Sequence, residues 1–347
     1  MRIVLIIIIA FILFKPLYLN AAVYDKDTNI LFEEEAWPGG ILPDENMQIN
    51  NKAVVNIDFL PTKNFPDNWF FAAFLRGNGS NITFQGDGDL NFFLDGTKFS
   101  GYQWGAFLYK DWNTGQSNIA FNVNTTFLAK DNSSIGRGAF VENGAAGGYA
   151  RGSFSFTKNL FVDVNNTIPV NSSRTILFIE RYGNGYINSD PANKIINIHN
   201  IIQLKGDIKV GVGSRFAMNL TNPESFFMGK ISNNASANLT LLNGAKWYMT
   251  NSSQISVLDI SNSFVPDTSS NAKGSQIFSF VDLAKYATPN TSGIYCPNDN
   301  CPRIHDPFSP RTLKVSTING ENGVFRLMSD LSLGKTDTIT AGNVNGL

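Results

Sequence analysis

Two histidines and two cysteines are the scarce chemical resources of this chain. A nucleophilic hydrolase sets Ser or Cys beside a base that a third group orients, and His199 and His305 are the histidines available for that work. His199 sits in an Ile-rich segment that reads as a strand, which favours a turn-facing or satisfied structural histidine over a base. No Gly-x-Ser-x-Gly elbow occurs to present a serine. Clustered acids beside a base would suit calcium-assisted cleavage of an acidic polysaccharide. Asp87, Asp89 and Asp95, with Arg76 nearby, are the candidates; solvated turn acids explain the same pattern. Glu33-Glu34-Glu35 reads as a solvated run near a new N-terminus. Gly144 to Gly148 lacks the Lys and Ser/Thr of a phosphate loop and reads as a connection. No catalytic, cofactor-binding or metal-ligating set emerges.

Cys296 and Cys301 lie in the run Cys-Pro-Asn-Asp-Asn-Cys-Pro. In an oxidising compartment a pair this close closes a small local loop as a disulfide. A metal reading would add His305 and Asp306, but no second Cys or His pair completes a site. Free thiols are the remaining alternative.

The compartment follows from the N-terminus. Arg2 precedes an apolar run from Ile3 to Phe14, Lys15 and Pro16 interrupt it, and Ala21 and Ala22 supply small residues. The run is shorter than the roughly 20 residues that a helix needs to span a membrane. Residues 1–21 therefore read as a secretory signal peptide. Charged residues make up 16% of the chain, below the usual share of about 25%, and polarity comes from Asn, Ser, Thr and Gly. A formal net charge of -1 provides no basic field for nucleic acid or anionic lipid. An apolar share of 43% is ample for a core.

The elements that would position any site are short alternating strands bounded by Gly, Asn, Asp or Ser. Asn81–Phe84, Asp89–Leu94, Ser117–Val123, Ser153–Thr157 and Thr175–Glu180 all follow this pattern. The nearest approach to helical periodicity is the uncapped stretch Ser279–Tyr286. From Ile195 on, strands recur at Ile195–Ile198, Ile201–Leu204, Asp207–Val210, Phe216–Leu220, Phe226–Ile231, Leu239–Leu242, Trp247–Thr250 and Ile255–Ile260. Grouped in twos and threes they make coils of about 20 residues, the size of a β-solenoid turn. Asn at inward corners would stack in ladders and satisfy backbone groups. Residues 22–194, with Trp69, Trp104 and Trp112 among Gly-rich turns, read as a solenoid region with longer loops.

Several segments carry a resemblance. Gly206 to Val210, Ser225 to Ile231, and above all Leu239 to Ser253, with its strand, Asn-Gly turn, Trp247 and Thr-Asn-Ser corner, resemble successive coils of a pertactin-like autotransporter passenger. Asn319 to Leu331 is similar to the entry of the C-terminal folding module of such passengers. The resemblance covers residues 195–347 and implies an all-β, right-handed parallel β-helix of the single-stranded-coil passenger type, delivered to the surface of a Gram-negative bacterium. It also implies an outer-membrane β-barrel partner, either encoded separately or lost by truncation or frameshift, in which case the chain would stay periplasmic.

Protease-type passengers carry Gly-Asp-Ser-Gly; the nearest string here, Gly86-Asp87-Gly88-Asp89, lacks the serine. Lys205-Gly206-Asp207 is similar to integrin-binding tripeptides but falls within the recurrent coil motif. Among the aromatics Trp69, Phe70, Phe71, Tyr102, Trp104, Tyr109 and Trp112, most would fill or cap the solenoid. Any left exposed would form a patch for glycan or protein. The expectation is an adhesin-like passenger, with no enzyme activity, no cofactor and no nucleic acid, that binds a host-surface protein or glycan. The alternatives are a polysaccharide-lyase-type β-helix enzyme and an inactive truncated fragment.

Overall fold

The computed structural model describes residues 21–33, 46–62, 81–98, 107–110, 118–143, 152–169, 173–189, 196–261, 278–284 and 309–346. Within them the chain is all-β and coils into a parallel β-helix with three strand columns. The first column runs Ala22–Tyr24, Met47–Ile49, Ile82–Leu94, Asn118–Ala129, Ser153–Phe156, Asn184–Ile187, Arg215–Leu220, Ser236–Leu241, Ser253–Ile260, Thr312–Asn319 and Thr338–Asn345. The second begins with Thr28–Phe32 and Val54–Phe59 and continues through the later halves of Ile82–Leu94 and Asn118–Ala129. It then passes through Leu160–Asp163, Ile202–Lys205, Phe226–Met228, Lys246–Tyr248, Phe280–Asp282 and Val324–Arg326. Phe107–Lys110, Phe140–Asn143, Thr175–Ile179, Asp207–Val210 and Ile231–Asn233 form the third. Every pairing in these columns is parallel; the antiparallel pair Ser329–Asp330 with Lys335–Thr336 stands apart from them.

Side chains alternate across each strand, so one set from every column points to the axis. In the first column Phe84, Phe121 and Phe156 occupy the same position in successive coils, with ring centroids 4.8 Å apart in both stacked pairs. Phe140 from the third column meets Phe121 edge-on at 5.7 Å. In the second column Leu204, Phe227, Trp247 and Val281 stack in register, all fully buried. The Trp247 indole donates to the Gly229 carbonyl at 3.0 Å, which satisfies its polar edge inside this core.

Corners between columns are set by backbone that side chains would obstruct. Gly86 has φ 137°, and a Cβ there would lie 1.8 Å from the Ile49 carbonyl oxygen; the register shift between Gln85 and Asp89 marks the same bend. A buried Asn cluster closes another corner: Asn200 donates to the Asn188 carboxamide at 2.8 Å, and Asn188 donates to the Asn219 carbonyl at 3.0 Å. Asn ladders also run outside, where Asn91 donates to Asn56 at 3.0 Å and Asn56 to Asn29 at 2.8 Å.

Within the described part of Ser279–Tyr286 the chain forms a strand, Phe280–Asp282, in keeping with the all-β reading. Two sequence expectations shift. Ile196 and Ile198 are exposed in a turn instead of a strand, because the Asn197 side chain accepts from the His199 amide at 3.0 Å and closes an Asx turn that outweighs β-branched propensity. Phe226–Ile231 divides at Gly229, whose Cβ would stand 1.9 Å from the Gly206 carbonyl oxygen at a corner.

Candidate functional site

On the second column the inward residues Leu90, Phe92, Thr125, Phe127, Leu160 and Val162 are fixed by burial, so their neighbours must face outward. Those neighbours are Asp89, Asn91, Asn124, Thr126 and Phe161. With Asn159, Ile201, Gln203 and Glu224 they line an outward groove of about 410 Å³ that crosses four strands. Its walls mix carboxamides and acids with the half-buried Phe161 ring and Ile201. No Lys, Arg or His is among the lining residues.

Hydrogen bonds between coils hold these groups in place. Asn124 donates Nδ2 to Asp89 Oδ1 at 2.9 Å. Asn159 Oδ1 accepts the Ile201 amide at 2.9 Å, and Gln203 Nε2 donates to the Glu224 carbonyl at 3.2 Å. At the groove margin Lys205 pairs with Asp163 at 2.7 Å and lies 6.0 Å from the Phe161 ring centroid. Pairing with Asp163 offsets that cation locally. The site therefore offers fixed polar groups and one aromatic face, the arrangement of a recognition surface.

The acids proposed for calcium are engaged separately. Asp87 accepts the Lys52 amide at 3.3 Å, Asp89 accepts Asn124, and Asp95 pairs with Lys130 at 2.6 Å. Burial pushes the Asp95 carboxyl up, but hydrogen bonds from Lys130 and Thr97 together with the Lys130 charge hold it below the ordinary range. Among the described residues, no three His, Cys, Asp or Glu side chains group as a metal set. Glu33 is exposed, and His199 is exposed in its turn. Asp207 of the Lys-Gly-Asp tripeptide is buried: Ser173 donates to its Oδ2 at 2.6 Å, and the Lys230 amide to its Oδ1 at 2.9 Å. Gly206 beside it has φ 141°, so this tripeptide is a coil corner.

Arg76, His305, Asp306, Cys296, Cys301, Glu34, Glu35, Gly144 to Gly148, Trp69, Phe70, Phe71, Tyr102, Trp104 and Trp112 lie outside the described residues. Tyr109 falls in the strand Phe107–Lys110.

The outward set of Asn91, Asn124, Asn159, Phe161, Gln203 and Glu224 went unread in the sequence. Its signal is the echo of Asp89-Leu-Asn91-Phe92 in Asn124-Thr-Thr126-Phe127, bonded across a separation of 35 residues. No protein-family model, curated protein sequence or solved structure matches this chain.

Proposed function

We propose that the chain is an exported, surface-exposed or secreted passenger that acts as an adhesin-like binding protein, without enzyme activity. The observation that carries the reading is the outward groove: fixed carboxamides, two acids and an aromatic ring across successive coils of a rigid solenoid. A stacked array of this kind presents a long preformed surface at little conformational cost on binding. The N-terminal charge, apolar run and small-residue site support export. Asp87, Asp89 and Asp95 are each held by a different neighbour, which favours the binding reading over a shared acid site.

The test expresses the full chain in a Gram-negative host and follows it by fractionation and protease shaving, then measures adherence of the purified protein to host cells. Export with saturable adherence is expected. Retention in the cytoplasm, or calcium-dependent release of unsaturated sugars from acidic polysaccharides, would overturn the reading.

A further inference from the structure

The groove's ligand class follows from which of its polar atoms remain open, and this step rests on the binding role just proposed. A carboxylate can only accept, so Asn124 must turn Nδ2 toward Asp89, which leaves its Oδ1 unused. Asn159 must accept the Ile201 amide through Oδ1, which leaves Nδ2 unused. Gln203 must donate to the Glu224 carbonyl, which leaves Oε1 unused. The second Asp89 oxygen and the Glu224 carboxylate add further acceptors. Asn124 and Gln203 each keep a second N–H and Asn159 keeps two, yet the lone pairs on the open oxygens still outnumber these donors. Two of the lining groups are acids with no lining cation to offset them.

A ligand for this groove must bring donors and no negative charge. It must also bring an apolar face to Phe161. A peptide could supply amide N–H donors, but its usual route onto a sheet is an open strand edge. Here Leu160–Asp163 is paired on both sides, with Asn118–Ala129 and with Ile202–Lys205. Recognition must therefore come from side chains alone. Sugar rings meet all of these conditions: hydroxyls donate to fixed oxygens, and the C–H face of a pyranose lies on an aromatic ring. Strand rungs about 4.8 Å apart set the groove along the solenoid axis, which suits a linear chain of several rings.

We propose that this groove binds an uncharged, hydroxyl-rich oligosaccharide, with Phe161 as the stacking platform and Asn124 and Gln203 as hydroxyl acceptors. Acidic glycans are excluded by repulsion from Asp89 and Glu224.

Calorimetric titration of the full chain tests this with neutral tetrasaccharides, cellotetraose and chitotetraose, against tetragalacturonate. At least one neutral sugar should bind, and tetragalacturonate about ten-fold more weakly or not at all. Phe161→Ala and Gln203→Ala should each weaken binding about ten-fold, Phe161→Tyr should restore it, and Ser232→Ala on the third column should change nothing. Circular dichroism melts confirm that each variant folds. Failure of both neutral sugars to bind, equal affinity for tetragalacturonate, or full affinity in Phe161→Ala would overturn the proposal. Cell adherence scored on the same variants separates the two readings. Adherence that survives with no sugar binding sinks the groove's ligand class alone; sugar binding without adherence sinks the adhesin role alone.

Discussion

Asn124 donates its side-chain amide to Asp89 across adjacent coils, with an N–O distance of 2.9 Å. The bond joins residues 35 apart and ties the groove wall to the parallel ladder beneath it. Asn124→Ala should remove a charge-assisted bond at a partly buried site and cost about 1 kcal/mol. Asn124→Asp should cost more at neutral pH, because two carboxylates then face each other, and the excess should shrink as salt screens them. Melting temperatures at low and high salt check this. An Asn124→Asp variant insensitive to salt would show that the two side chains do not face each other.

The Phe84–Phe121–Phe156 stack predicts a second outcome. Phe121 is fully buried and meets Phe140 edge-on as well as both stacked neighbours. Phe121→Ala should cost about 3–5 kcal/mol, and Phe121→Leu should cost clearly less. Because each coil contacts only its neighbours, the loss should be local. Hydrogen exchange should accelerate in Ile82–Leu94, Asn118–Ala129 and Ser153–Phe156, and stay slow in Ser236–Leu241. Uniform acceleration along the chain would contradict this neighbour-limited coupling.

How much of this was legible in the sequence depends on the range of the signal. Asp207–Val210 is read and found with the same bounds, because alternation between a buried face and a turn is a local property. The 20-residue coil holds where neighbouring coils bond at separations of 19 to 23, as at Ala237 with Ser256 and Lys246 with Pro223. Residues 22–194 read instead as a solenoid region with longer loops, and coils there bond at unequal separations, 27 from Asn56 to Asn29 and 35 from Asn124 to Asp89, that leave no repeat to read. The groove was illegible for the same reason. It exists only once Asn159 and Ile201, 42 residues apart, share one rung boundary. Lys205-Gly206-Asp207 was legible as part of the recurrent coil motif, and Ser173 and the Lys230 amide hold Asp207 buried at that corner.

Lys130 and Asp95 supply a pH-dependent outcome. Burial raises the Asp95 pKa, while the Lys130 and Thr97 hydrogen bonds and the Lys130 charge bring the net value below the ordinary one. A folded-state pKa lower than the unfolded value means that the contribution is complete above the unfolded carboxylate range, near about 3.9, and is lost as pH falls through the folded value. The Lys130 side chain is 52% exposed, so solvent screening limits the contribution to below about 1 kcal/mol. Lys130→Ala should raise the Asp95 pKa, since burial then acts against fewer compensating groups. Carboxyl-carbon NMR titration reads this directly, and an unchanged or lower Asp95 value in Lys130→Ala would refute the pairing.

Arg311 predicts where the C-terminal coils are locked. Its side chain is buried, and Nη1 donates to the Met249 carbonyl at 2.5 Å and the Leu283 carbonyl at 2.7 Å. Its backbone amide donates to Asp337 Oδ1 at 2.8 Å, while Asp337 Oδ2 accepts the Met328 amide at 2.9 Å. Burial lowers the Arg311 pKa, opposed by the charges of Asp337 and Asp282, and guanidinium stays protonated at any ordinary pH. One cation thus joins the turn after Lys246–Tyr248, the end of Phe280–Asp282 and the start of Thr312–Asn319. Arg311→Met would leave two carbonyls unsatisfied and take the nearby cation from Asp337, while Asp282 keeps Arg326 at 3.4 Å; the loss should be about 3–5 kcal/mol by analogy with broken buried pairs. Arg311→Lys should recover only part of it, because the shorter side chain holds its ammonium short of the point where Arg311 Nη1 meets both carbonyls. Hydrogen exchange should then rise in Phe280–Asp282, Thr312–Asn319 and Thr338–Asn345 but not in Ser153–Phe156. If Lys restores full protection, the lock is one of charge, and the two-carbonyl geometry contributes nothing to it.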